Sequence, residues 1–139
     1  MLYSKLIHPP IIKALAAAGH GSKILIADGN YPLATHSNPR AEHIFLNLRP
    51  GLVSVTDILE TIQTAIPIEA AHVMQPNDGS EPTIFTDFRT LLSSIELQPL
   101  ERFAFYDFAR QFDVALAIAS GDQRLYANIM LTIGVVQPV

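Results

Sequence analysis

The chain has 139 residues, of which 49% are hydrophobic and only 16% charged, with a net charge of −4 and no cysteine. Negative charge without a basic run argues against a nucleic-acid partner, and no apolar stretch reaches the roughly 20 residues that span a membrane. The missing thiols exclude disulfides, thiolate nucleophiles and thiolate metal sites.

The length suits one domain over 1–139, and the N-terminal "MLYSKLIHPP" lacks the apolar core and cleavage site of a signal peptide, so a cytoplasmic location is expected. "PPIIKALAAAG" (9–19) predicts a helix: prolines suit its first turn and Gly19 its end. "KILIAD" (23–28) is a continuous apolar run and reads as a strand covered on both faces. "GNYPLATHSNPRA" is a loop, and "HIFLNLRPG" a second strand closed by Pro50-Gly51. "SVTDILETIQTAI" (54–66) has helical spacing, with Ser54 or Thr56 as its cap. "EAAHVMQP" predicts a strand, "EPTIFTDFRTLLSSI" (81–95) a helix and "LERFAFYDFARQF" (100–112) another. "DVALAIASGD" is a strand ending in a Gly-Asp turn, and "LYANIMLTIGVV" (125–136) a last strand or hairpin. Strands alternating with helices predict an α/β domain with helices on both faces of a sheet. The apolar fraction exceeds what a small monomer needs and points to a homo-oligomer.

Ligands of open α/β sheets gather beyond the carboxyl ends of the strands. Asp28 ends the "ILIAD" strand and belongs to that rim, whereas His20 precedes the same strand and belongs to the opposite end. The two can share a site only if the Gly19 loop folds over or a second subunit contributes.

His20 sits between two glycines. It reads either as a helix C-terminal histidine or as a proton donor or acceptor, since histidine titrates near pH 6.5. Asp28 reads as an Asp-Gly turn residue or as a hydroxyl acceptor. His36 is a loop histidine, and His8, His20, His36, His43 and His72 show no metal-ligand spacing, so no metal is expected. Arg102 precedes an aromatic helical stretch; facing a pocket, its rigid fork can bind two neighbouring hydroxyls. Tyr126 and Asn128 stand two apart, and on a strand they would share one side, a mixed donor and acceptor pair suited to a polyhydroxylated ligand. A phosphate loop, GxGxxG and GxSxG are all missing.

Taken together, "HPPIIKALAAAGHGSKILIADGNYP", the "THS" loop, "LVSVTDIL", "ERFAFYDFAR" and "YANIMLTIGVV" resemble the sugar mutarotase family that contains D-ribose pyranase and L-fucose mutarotase. The ordered set "GHG", "ADGNYP" and a late "YAN" carries the resemblance nearly end to end, and "RFAFY" resembles the fucose branch more than the ribose branch. The resemblance implies a three-layer α/β/α fold with a mixed, mainly parallel sheet. It also implies ring-shaped homo-oligomers, typically decamers, with sites near subunit contacts.

By the same resemblance His20 is the proton donor, and Asp28, Arg102, Tyr126 and Asn128 bind the sugar. Ser22 departs from the family's commoner acidic residue after the second glycine. The implied activity interconverts α and β anomers of a monosaccharide, L-fucose or D-ribose, through the open chain, without a cofactor. D-ribose pyranase activity is the alternative within the family. A non-catalytic monosaccharide-binding protein on the same scaffold is the competing class, and the missing ligand spacing disfavours a metal-dependent isomerase.

Overall fold

In a computed structural model describing residues 1–139, Pro9–Ala18 forms helix α1, Lys23–Ala27 strand β1, Glu42–Phe45 β2 and Val55–Ile62 α2. Ile68–Gln75 forms β3, Ile84–Leu91 α3, Leu97–Glu101 β4, Arg102–Ala109 α4, Val114–Ala119 β5 and Ile129–Ile133 β6. The strands make one six-stranded sheet in the order β2-β5-β1-β6-β3-β4. β6 runs antiparallel to both β1 and β3, while β2, β5 and β1 pair in parallel, as do β3 and β4. The carboxyl ends of β1, β3 and β5 therefore share one sheet edge with the start of β6.

The near-continuous apolar strands are explained by cover on both faces. Alternate residues such as Ile24, Ile26, Leu116, Ile118, Ile129 and Leu131 pack against α1, α2 and α3. The intervening Leu25, Ala27, Ala117, Met130 and Met74 pack under Phe105 and Ala109 of α4 and under Tyr31 and Leu33 of the loop after β1. α2 starts where the Ser54 hydroxyl accepts a hydrogen bond from the Asp57 amide and the Asp57 carboxylate accepts one from the Ser54 amide, a reciprocal cap.

Several expectations are corrected. The run 97–101 is a strand, although Pro99 interrupts its pattern; proline lacks an amide donor and is tolerated because β4 lies at a sheet edge. The fourth helix begins at Arg102, not at 100, because Glu101 caps it by accepting a 2.7 Å hydrogen bond from the Ala104 amide. The third helix spans Ile84–Leu91 rather than 81–95. β2 ends at Phe45, and residues 46–53 turn back instead, Leu46 bonding to Val53. β6 begins only at Ile129, because Tyr126 takes a φ of 61° that no extended strand accepts. Tyr126 and Asn128 thus belong to the turn before β6, and the expected strand alternation does not relate them.

Candidate functional site

Asp28 and Asn128 form the centre of the carboxyl rim. The Asp28 amide donates to Asn128 Oδ1 at 2.8 Å, and Asn128 Nδ2 donates to Asp28 Oδ2 at 3.1 Å. Both side chains are buried, and the two-way pairing satisfies groups that burial would otherwise penalise. Asp28 Oδ1 also accepts the Asn30 amide at 2.9 Å. Asp28 is therefore both the turn residue and the pocket residue, two readings that the sequence left open. Burial pushes its carboxyl above the ordinary range, against the opposing pull of hydrogen bonds from Asn30, Tyr31 and Asn128.

Around this pair lies a concavity of about 300 Å³, lined by Asp28, Asn30, Tyr31, Met74, Arg102, Tyr106, Leu125, Tyr126 and Asn128. Arg102 opens α4, its guanidinium 4.6 Å above the Phe103 ring. Tyr106 stands one helical turn further on and so shares its face. Tyr31 packs edge-on against Tyr106 at 5.4 Å and donates its hydroxyl to the His36 carbonyl at 2.7 Å. His36 supports this wall rather than the cavity floor, with its ring 4.5 Å from Tyr106. Four of the residues singled out in the sequence, Asp28, Arg102, Tyr126 and Asn128, are thus brought together. The result is a cup of amide, carboxylate, guanidinium and phenol groups with aromatic walls, suited to a small neutral polyol.

His20 lies elsewhere. It sits in the α1–β1 turn, at the end of the sheet opposite Asp28, with Nε2 at 3.2 Å from both carboxylate oxygens of Glu69. Its side chain is 57% exposed and that of Glu69 46%. Gly19 and Gly21 take φ values of 77° and 82°, which favour glycine and explain why the histidine is flanked by two of them. The turn is held by Ser22, whose hydroxyl donates to the Ala18 carbonyl at 2.8 Å, and by two bonds to Ile133, whose carbonyl accepts from the Gly21 amide and whose amide donates to the Ser22 carbonyl. Ser22 thus anchors the turn by closing the end of α1.

Glu69 and Met74 are not among the residues singled out in the sequence, and Tyr106 enters there only as part of the aromatic stretch after Arg102. Tyr106 was legible, because it stands four residues after Arg102. Glu69 was not, since only the insertion of β6 between β1 and β3 brings the start of β3 to the His20 turn. Met74 resembles any core residue of a buried strand.

A family model described as the RbsD / FucU transport protein family matches residues 1–136. The chain belongs to that family. It is 31% identical over 143 aligned residues to the fucose mutarotase of Danio rerio, with 94% of this chain and 90% of the relative covered. It is 28% identical to the L-fucose mutarotase of Histophilus somni, covering 93% and 92%. A crystal structure of the fucose mutarotase of Streptococcus pneumoniae in complex with L-fucose superposes with a TM-score of 0.85 at 27% identity, covering 99% of this chain and 100% of that one. RbsD of Bacillus subtilis complexed with D-ribose matches with a TM-score of 0.84 at 24% identity, a likeness of fold over 99% of this chain and 100% of that one. No helix is long and apolar enough to cross a membrane.

Proposed function

We propose that this protein is a monosaccharide mutarotase acting on L-fucose, which interconverts the α and β anomers through the open-chain aldehyde. The observation that carries the reading is the interlocked Asp28–Asn128 pair, set with Arg102 and Tyr126 around one concavity. The resemblance of the whole chain to fucose mutarotases supports the choice of sugar.

Ring opening removes a proton from the anomeric hydroxyl, breaks the bond from the anomeric carbon to the ring oxygen, and delivers a proton to that oxygen. Closure on the other face of the carbonyl gives the second anomer. The reaction already proceeds in water, and general acid–base catalysis adds roughly 10² to 10⁴-fold, so the proposal needs neither metal nor cofactor. Asp28 accepts from a sugar hydroxyl. The Asn128 amide and the Arg102 fork donate to neighbouring hydroxyls, and the Tyr126 hydroxyl binds another. His20 transfers the proton. Because it stands at the far end of its own sheet, we assign it to the sugar held by a neighbouring copy in a ring-shaped oligomer, a decamer in the cytoplasm. Residues 1–139 act as one domain in this scheme.

Exchange NMR of anomeric protons tests the reading, on equilibrated L-fucose and D-ribose with and without protein. Faster α–β exchange with L-fucose is expected. Acceleration with D-ribose alone would move the activity to D-ribose pyranase, and binding without acceleration would leave a sugar-binding protein.

A further inference from the structure

The pocket residues Tyr126 and Asn128 lie on a loop, residues 120–128, that is neither helix nor strand. Asn128 is fixed by Asp28. Tyr126 carries a left-handed φ of 61°, a conformation that strains a non-glycine residue and persists only where the surroundings impose it. Something must therefore hold the loop upstream of Tyr126.

That hold is Asp122. Its side chain is 4% exposed and lies between the loop and the start of α2. Oδ2 accepts the Val55 amide at 2.9 Å and Arg124 Nη2 at 2.7 Å, while Oδ1 accepts the Arg124 amide and Nε, both at 3.0 Å. Arg124 reaches on to Thr56 Oγ1 at 3.0 Å and to Asp87 of α3 at 2.9 Å. Burial alone would raise the Asp122 carboxyl, but the hydrogen bonds from Arg124 and Val55 outweigh it and hold it below the ordinary range. The backbone is stitched in the same place. The Asp122 carbonyl accepts the Gly29 amide at 2.8 Å, directly beside Asp28. Gly121 is pressed so closely between the carbonyls of Arg49 and Leu52 that a Cβ would stand 2.1 Å from the Leu52 oxygen.

We propose that Asp122, clamped by Arg124, is the positioning residue of the sugar pocket: it anchors the loop that holds Tyr126 in its left-handed conformation and sets the Asp28–Gly29 turn against it. Arg124 acts through Asp122, and neither residue touches the sugar. The proposal rests on the mutarotase reading of the pocket.

The test is a double-mutant cycle with Arg124→Ala, Asp122→Asn and the pair together, read by L-fucose affinity and by anomer exchange at a temperature well below each melting point. Arg89→Ala, which removes an exposed ion pair of α3 to Glu81, is the control with unchanged sugar parameters. Displacing a binding group by about 1 Å can cost of order 100-fold, so we expect Arg124→Ala to lower kcat/KM at least about tenfold in protein that keeps its circular dichroism and oligomeric state. The double variant should be no worse than the worse single one. Arg124→Lys, which keeps the charge but not the fork, should recover part of the loss. A lowered melting point with unaltered affinity and exchange would reduce the pair to a stabilising contact and overturn the proposal, and additive losses would overturn the claim that Arg124 acts through Asp122. Wild-type protein that neither binds nor accelerates L-fucose would instead fail the mutarotase reading itself.

Discussion

The two ends of the sheet are built on opposite plans. At the carboxyl rim, Asp28 and Asn128 are buried, bonded to each other in both directions, and walled by Tyr31, Tyr106 and Tyr126. At the other end, His20 and Glu69 form an open pair, each about half exposed, on a turn that glycines shape. Binding groups gain from being held in place before the ligand arrives. A proton-transfer group must instead meet a sugar, and an exposed histidine on a projecting turn can meet one held by another copy. On the proposed reading the difference is a division of labour between a fixed cup and a presented acid.

The sharpest way to break that division is complementation. His20→Ala should lower anomer exchange by roughly 10² to 10⁴-fold with the sugar pocket intact, and Asn128→Ala should also be nearly inactive. Oligomers assembled from a one-to-one mixture of the two variants pair some intact pockets with intact histidines. Where each site draws on neighbouring copies of a ring, random mixing restores about a quarter of wild-type activity. No recovery in reassembled oligomers would mean that both residues serve one chain's site.

Stability sharpens the same comparison. Asn128→Ala leaves a buried carboxylate and a backbone amide without their partner, and should cost roughly 1–3 kcal/mol in denaturant unfolding. Glu69→Ala removes only an exposed pair and should cost about 1 kcal/mol or less. A loss from Glu69→Ala as large as that from Asn128→Ala would show that the pair is covered in the assembled protein, and the two ends would no longer differ in kind.

How much of this was legible follows from the same physics. The α/β architecture could be read because doubly covered strands are apolar throughout, as "ILIA" and "ALAIA" are. β4 escaped because "LQPLE" is short, half polar and broken by Pro99, features that only an edge strand tolerates. Asp28 could be placed at the rim from its strand, and His20 at the far end from the same strand, so their separation was visible in the sequence. Tyr126 and Asn128 were paired for the wrong reason: alternation on a strand suggested one face, whereas a left-handed turn aims them at the cavity. The Glu69 partner and the Asp122 anchor were hidden because each depends on segments distant in sequence: Glu69 stands 49 positions from His20, and Asp122 stands 67 from Val55.

The smallest expected effect concerns His72, a titratable group that neither end uses. It lies on β3 against the Phe108 ring at 4.6 Å, with Nδ1 buried and without a hydrogen-bond partner. Burial, and then the nearby Lys23 ammonium, hold its pKa below the ordinary histidine value, against a weaker opposing hydrogen bond from Gln98. In the unfolded chain the same imidazole titrates near 6.5. Between that value and its lower folded one, the unfolded state binds the extra proton and the folded state does not, so stability falls as pH falls. The contribution is complete above about pH 7 and drains away on acidification. His72→Gln should therefore flatten the acid side of the curve of melting temperature against pH between about 7 and 5, while leaving L-fucose exchange at pH 7.5 unchanged. An acid slope equal to that of the wild type would remove His72 as its source.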